Sequence, residues 1–464
     1  ADGASFDVYN PATGEVLCSV AEAGPEDIDR AVAAARTAFE QGPWRTMTPM
    51  ERSRVLWRLG DLILEHADEL ARVETLDQGK PFSAARGGDI PSTAHMFHYM
   101  SGFATKIEGS TIPVSAGGDF HVYTRREAVG VVGCIVPWNF PLSIASWKVA
   151  PALAAGNTVL LKPAEQTPLT ALLLGELALE AGVPAGVLNV VPGFGSRAGQ
   201  ALTQHPGVDK VSFTGSTATG RRILDAAKGN FKRLSLELGG KSANIVFPDA
   251  DIDAAIEGSA FGIFANSGQA CSAGSRLYVH DEVYDEVVAG IAEVAQRLRV
   301  GDGFDPSSEI GPLASAEHFD RVSGYIDTGL KEGAQAVTGG VRLGDRGYFL
   351  APTVFADALP QHRIVTEEIF GPVVVALRFR DTAEVVTAAN SLPYGLAGGV
   401  WTRDLSTAHK VAAAIQSGTV WVNCYQVFDP AMPFGGFKES GWGREMGHEV
   451  LHDYTEHKTV CVKL

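Results

Sequence analysis

Between Gly130 and Gly240, short β-branched and apolar runs alternate with longer stretches whose apolar residues recur at helical spacing. Residues 130–136, 158–161, 187–191 and 210–214 read as strands, and residues 143–155 and 169–181 as helices. A further helix is expected after Gly215, carrying Ile223 and Leu224. Strand, crossover and strand in this rhythm predict a parallel sheet covered on both faces. A second block of the same kind runs from residue 243 to about Ser440, with strands at 276–279, 373–376 and 419–423 and a long helix over 283–300. The N-terminal hundred residues read as helical. Two segments fit neither block: residues 111–126 alternate like a hairpin with one wet face, and residues 458–464 form a terminal β-type stretch. Both are edge-prone, so they pair with each other or with another subunit.

A chain of 464 residues holds two to four domains of ordinary size. No window of 18 uninterrupted apolar residues exists, which argues against a membrane-spanning helix. The net charge of −16, without a long basic run, excludes nucleic acid and anionic membranes as expected partners. Five scattered cysteines form neither a disulfide framework nor a zinc pattern, and no metal is expected. Together with an opening that shows no leader pattern, this makes a reducing, cytoplasmic location the expectation.

Candidate chemistry collects at strand ends, where open α/β sheets bind ligands. The first strand runs into Pro137-Trp138-Asn139-Phe140-Pro141, and the second into Lys162-Pro163-Ala164-Glu165. An acid in that second position suits the ribose hydroxyls of a dinucleotide, with Lys162 beside it; a solvated loop pair explains the same residues equally well. The usual glycine turn is missing after the first strand. Gly193-Phe194-Gly195 with Gly199, and the stretch from Gly215 and Ser216 to Gly220, are later candidates for a phosphate, although Gly-Ser-Thr is also an ordinary helix cap. Cys271 sits in a polar, glycine-broken stretch, Asn266 to Gly274, a setting that exposes a thiol and favours a thiolate nucleophile. The other four cysteines sit in or beside apolar strands, where burial is expected. Glu237, between two leucines, is a candidate base if buried and a strand-end surface acid if not. Asn139 offers an amide to an oxyanion.

Taken in order, seven segments resemble signatures of the NAD(P)-dependent aldehyde dehydrogenase superfamily: those around Asn139, Lys162, Gly215, Glu237 and Cys271, then Glu367-Glu368-Ile369-Phe370-Gly371-Pro372-Val373 and Pro433-Phe434-Gly435-Gly436-Phe437-Lys438. The resemblance implies an α/β fold with a Rossmann-type cofactor domain (1–109 and 128–240), an α/β catalytic domain (241–445) and a β oligomerisation arm (110–127 and 446–464). It also implies a homodimer or homotetramer. By resemblance Cys271 is the nucleophile, Glu237 the general base and Asn139 the oxyanion donor. The expected cofactor is NAD, held by Val136, Trp138, Lys162, Glu165, Gly195, Gly199, Phe213, Gly215, Ser216, Thr219, Leu238, Gly239, Glu368 and Phe370. Lys148 and Glu445 match positions linked to a water or proton path.

The implied reaction oxidises a small-molecule aldehyde to the acid through a cysteine adduct and thioester. The resemblance lines the substrate tunnel with Phe140, Ser143, Ile144, Trp147, Phe264, Ala265, Ala270, Ser272, Phe428, Asp429 and Phe434, which suits an apolar or aryl aldehyde such as phenylacetaldehyde. Asp429 keeps a cationic aminoaldehyde open. A CoA-acylating enzyme of the same fold typically lacks the acid at Glu237, and a crystallin-like binding protein has no need of Cys271, Glu237 and Asn139 together.

Overall fold

The computed structural model describes residues 3–464. Its first sheet has six strands in the spatial order Gly441–Trp442, Arg233–Glu237, Lys210–Thr214, Val131–Ile135, Thr158–Lys162, Leu188–Val190. All neighbours run parallel except Gly441–Trp442, which lies antiparallel to Arg233–Glu237. The three strands Val131–Ile135, Thr158–Lys162 and Lys210–Thr214 are buried at every position because helices cover both faces. From Val131–Ile135 the chain winds outward to Leu188–Val190, then returns to build the other half from Lys210–Thr214. The winding therefore reverses between Val131–Ile135 and Lys210–Thr214, and a crevice opens beyond their carboxyl ends.

The second sheet has seven strands, in the order Gln335–Thr338, Thr353–Ala356, Val373–Phe379, Arg276–His280, Ala243–Val246, Ala397–Trp401, Thr419–Val422. Only the Gln335–Thr338 pairing is antiparallel. Helices Ile252–Phe264 and Tyr284–Arg297 pack with one face of this sheet, and Ala316–Lys331 with the other, each contributing to a separate apolar cluster. The α/β expectation holds in both blocks.

The two odd segments pair with each other. Phe120–Ala128 and Thr455–Lys463 form a nine-residue antiparallel ribbon, from Ala128 opposite Thr455 to Phe120 opposite Lys463. The expected hairpin over 111–126 survives only as a bridge between Thr111 and Tyr123, because the longer partner strand takes the regular pairing. At the N-terminus, helices are preceded by a hairpin, Ser5–Tyr9 with Val16–Ala21, which buries Phe6, Val8 and Val20. Cys18 and Cys461 correct the burial expectation: both are exposed, while Cys134 is buried and Cys424 half-buried. Each exposed cysteine lies on a two-stranded ribbon, which has too little cover to bury the apolar run around it. The strand Gly441–Trp442 lies within the 241–445 segment yet joins the first sheet, so the blocks interleave there.

Candidate active site

Cys271 stands where two cavities meet. One, of about 240 Å³, opens at the reversal in the first sheet. Trp138, Asn139, Gly215, Ser216, Leu238, Gly239, Glu368 and Phe370 line it together with Cys271. The other, of about 750 Å³, is lined by Phe140, Ser143, Ile144, Trp147, Glu237, Phe264, Ala265, Ala270, Ser272, Phe428, Phe434 and again Cys271. Thr214 also touches both. Segments scattered over three hundred residues thus converge on one sulfur.

The surroundings of Cys271 reverse one expectation. Its thiol is pushed up to about 12, first by burial and then by the facing carboxylates Glu237 and Glu368; the backbone amides of Cys271 and Ser272 pull the other way without winning. The protein's own groups therefore keep the sulfur protonated near neutrality. Glu237 is buried, 5% exposed, and neither carboxylate oxygen has a hydrogen-bond partner. Burial, then Glu445, raises its pKa well above the carboxylate range. Asn139 is buried, and its side-chain amide donates to the Gln269 carbonyl at 2.9 Å, which leaves its second N–H. Asn266 holds the Asn139 carbonyl at 3.0 Å.

Glycines around the sulfur are required by contact. A Cβ on Gly239 would lie 2.3 Å from Oε2 of Glu368, and one on Gly240 would lie 2.5 Å from the Cys271 carbonyl. The Glu368 carboxylate accepts the Gly240 N–H at 2.8 Å, and burial raises its pKa. Ser216 caps the helix Thr217–Ala227 by accepting the Thr219 N–H at 3.2 Å, so it serves the cap and lines the smaller cavity at once. Phe213 is buried beneath Gly215, whose added Cβ would meet its ring at 2.4 Å. Val136 is buried at the strand end, its N–H donating to the Lys162 carbonyl at 3.1 Å. Lys162 is nearly buried and reaches Glu165 at 3.1 Å; burial lowers its pKa against the pull of that carboxylate. Gly195–Gly199 forms a short turn of π-helix, and Gly199 faces the Lys162 stem, where a Cβ would be 3.9 Å from Cδ. The lysine and acid are thus a matched pair rather than two separately solvated side chains.

Behind Glu237, Nζ of Lys148 lies 2.6 Å from Glu445 and 3.1 Å from Ser212, in full burial. Asp429 corrects the tunnel list. It is exposed, its carboxylate accepts the Ala431 N–H at 2.8 Å, and it does not line the cavity. The missed residues on the smaller cavity are Pro137, Gln166, Thr214, Ser315, Glu317, His318 and Arg321. Of these Thr214 carried a signal: Lys210, Ser212 and Thr214 put polar side chains on one face of a strand buried at every position. On the larger cavity Lys80, Asp89, Glu257, Arg297 and Gln426 were missed.

The residues present fit a dinucleotide. The crevice lies at the sheet's reversal, a capped helix N-terminus faces it, and the half-buried acid Glu368 stands within it. A thiol between such a cleft and an apolar tunnel is the layout of an oxidoreductase that works through a covalent sulfur adduct. The chain belongs to the aldehyde dehydrogenase family, whose model matches residues 1–460, and it is an aldehyde dehydrogenase. It is 54% identical over 464 residues to the putative aldehyde dehydrogenase DhaS of Bacillus subtilis, covering all of this chain and 93% of that one. The fold matches the NAD+ complex of an aldehyde dehydrogenase from Bacillus cereus with a TM-score of 0.98 at 51% identity, covering 100% of this chain and 94% of that one. An indole-3-acetaldehyde dehydrogenase of P. syringae, solved with NAD+, matches with a TM-score of 0.98 at 43% identity over the same shares of the two chains. Among the described residues, no helix is long and apolar enough to cross a membrane.

Proposed function

We propose that the protein oxidises apolar or aryl aldehydes to carboxylic acids with NAD+, using Cys271 as nucleophile, Asn139 as oxyanion donor and Glu237 as base. The observation that carries this reading is the position of Cys271 at the junction of a polar crevice and an aromatic-lined cavity. The Cys271 thiol gives up its proton to water, the positive charge of a bound NAD+ favouring the thiolate, and the sulfur then adds to the aldehyde carbon; the oxyanion that forms accepts the free N–H of Asn139. The smaller cavity would hold NAD+, which would supply the acceptor for the hydride released from that carbon. As the C–H electron pair leaves with the hydride, an oxyanion lone pair re-forms the carbonyl and the C–S bond is kept, which gives the thioester. Glu237 then takes a proton from water as it attacks the acyl carbon, and the acid leaves Cys271 free. Glu368, with Phe370 packing nearby, would hold the nicotinamide ribose, Ser216 and its glycine turn at Gly215 the pyrophosphate, and Lys162 with Glu165 the adenosine ribose, while Trp138, Leu238 and Gly239 line the same cleft. Val136, Gly195, Gly199, Phe213 and Thr219 support that groove as backbone and packing.

The larger cavity supports an apolar tail. Trp147, Phe428 and Phe434 contact one another with ring centroids 5.5 to 6.1 Å apart. Its charges are matched: Lys80 lies 2.9 Å from Glu74 and also pairs Asp89, and Arg297 pairs Glu257. Glu309 pairs Arg299 at 3.6 Å, Asp429 lies outside, and the unpartnered Glu237 carboxyl serves the reacting end beside Cys271 rather than a cationic tail. Phenylacetaldehyde and hexanal are therefore expected to exceed betaine aldehyde in kcat/KM by about 10²-fold or more, since an unpaired ammonium in an apolar cavity loses its hydration. NADH absorbance over these three substrates checks it, and betaine aldehyde as the best substrate would overturn the tail assignment. Adding CoA should leave the rate unchanged, because Glu237 serves water.

A 2′-phosphate beside Glu165 would meet like charge and remove a hydroxyl donor. NAD+ is expected to be preferred over NADP+ by roughly 10²–10³ in kcat/KM, softened by Lys162. Glu165→Gln should narrow the gap chiefly by improving NADP+; equal kcat/KM in the wild type would show that Glu165 does not contact the ribose. The outer edge of Phe120–Ala128 is partly taken by the bridge from Thr111, but among the described residues no strand pairs the outer edge of Thr455–Lys463, which supports an assembly into dimers or tetramers through this arm. Five unpaired cysteines support a reducing, cytoplasmic setting.

A further inference from the structure

The segment from Glu367 to Gly371 crosses the smaller cavity in a conformation it does not prefer. Phe370 sits at φ 66°, in the left-handed region that bulky side chains avoid. Something must hold it there, and one helix does so at four consecutive grips. In Ala316–Lys331, His318, Arg321, Val322 and Tyr325 fall at the i, i+3, i+4, i+7 spacing of a single face. His318 Nε2 donates to the Phe370 carbonyl at 2.7 Å, and an Arg321 guanidinium N–H donates to the Glu368 carbonyl at 2.8 Å. Tyr325 donates its hydroxyl hydrogen to the Glu367 carboxylate at 2.8 Å. Val322 closes on Gly371 so tightly that a Cβ there would lie 2.6 Å from its Cγ1.

The far side of the segment is wedged as firmly. A Cβ on Gly268 would lie 2.0 Å from the Gly371 carbonyl, and Gly268 belongs to the loop that carries Cys271. The Glu368 side chain reaches across to the Gly240 N–H. The segment is therefore trapped between the helix and the nucleophile loop.

We propose that His318 is a positioning residue, which latches the Phe370 carbonyl so that Glu368 and Phe370 are held at the angle hydride transfer needs; this rests on reading those two residues as nicotinamide-side contacts. A carbonyl partner requires the proton on Nε2, and the neutral ring supplies it. Burial pushes the His318 pKa down to about 4, with Arg321 adding to the effect against the hydrogen bond to Phe370, so the ring stays neutral at working pH. Its ring also packs 4.8 Å from Trp138 and 5.9 Å from Phe370, closing one wall of the cavity. Without the latch, Phe370 is free to relax toward an ordinary backbone angle, turning its carbonyl and the Glu368 carboxylate away together.

The test compares His318→Ala, His318→Gln and Arg321→Ala in the full-length protein. His318→Ala is expected to slow the single-turnover NADH burst by about 10–100-fold, the cost of misplacing reacting groups by about 1 Å, with little change in the aldehyde KM. His318→Gln keeps an N–H within reach and should recover to within about threefold of wild type. Arg321 is exposed, so Arg321→Ala folds even if the histidine variants do not; it should slow the burst by about threefold or more. Trp138 lies in the same cluster, so NAD+ titration by tryptophan fluorescence gives a readout without aldehyde, in which His318→Ala should weaken binding about fivefold and His318→Gln restore it. A burst and an NAD+ affinity within twofold of wild type in His318→Ala would overturn the latch, as would a glutamine variant as impaired as the alanine, or an unchanged Arg321→Ala where the histidine variants fail to fold. A wild type that binds NAD+ yet forms no NADH would instead sink the activity reading, and the fluorescence comparison would still decide the latch.

Discussion

Cys271→Ala is expected to lower NAD+-dependent aldehyde oxidation by at least about 10⁴-fold in kcat, the size of loss seen when a covalent nucleophile is removed. Cys18→Ala and Cys461→Ala should stay within about twofold, because both are exposed on ribbons away from the cavities. Steady-state NADH absorbance separates these outcomes, and full activity in Cys271→Ala would end the covalent mechanism. The pH dependence follows from the same surroundings. With its thiol pushed up to about 12, Cys271 is almost wholly protonated at pH 7. Its alkylation by iodoacetamide, followed on the tryptic peptide, should be slow there and rise about tenfold per pH unit toward pH 10, as the reactive thiolate fraction grows. Labelling at pH 7 should accelerate when NAD+ is added, since a cation near the sulfur favours its charged form. A flat profile would show that the sulfur is already ionised.

How far the sequence carried this picture depends on the range of each feature. Several parallel strands were legible to within a residue or two because burial on both faces demands continuous apolar runs, as in Thr158–Lys162, whereas Arg233–Glu237, Thr353–Ala356 and Ala397–Trp401 went unread and Val373–Phe379 ran three residues past its expected end. Lys210–Thr214 matched its expected bounds even though Lys210 and Ser212 interrupt the apolar pattern. The N-terminal hairpin was missed, since only Phe6, Val8 and Val20 mark it and helices dominate the surrounding residues. Nucleophile, base and amide were nominated from local setting, but their meeting at one sulfur is a tertiary fact that spacing does not contain. The error on Cys271 has the same origin. A small, polar, glycine-broken sequence suggests exposure, yet the fold covers the thiol, and Glu237 and Glu368, 34 residues before and 97 after it, bring two carboxyl groups against it. The Ala316–Lys331 face escaped notice because His318, Arg321 and Tyr325 read as an ordinary amphipathic helix until the segment beneath them is seen.

Glu237→Gln is expected to release one NADH per active site in a fast burst and then turn over about 10²–10⁴-fold more slowly than wild type. The argument rests on where the carboxylate sits and what it lacks. Both oxygens are buried without a hydrogen-bond partner, in the wall of the substrate cavity and not of the smaller crevice. From there Glu237 can take a proton from water attacking the acyl group, whereas the hydride leaves toward the opposite side of the sulfur. Acylation should therefore survive the change and deacylation should not. Because burial and Glu445 hold its pKa well above the carboxylate range, only a fraction of Glu237 is ionised at low pH, so wild-type deacylation should quicken as pH rises through that pKa. Glutamine cannot titrate, so the rising limb should vanish in the variant. Hydroxylamine, which attacks thioesters without needing a base, should restore turnover to Glu237→Gln and leave Cys271→Ala inactive. Slow steady turnover with no burst would instead place Glu237 in the acylation half of the reaction, as the base that relieves Cys271 of its tightly held proton.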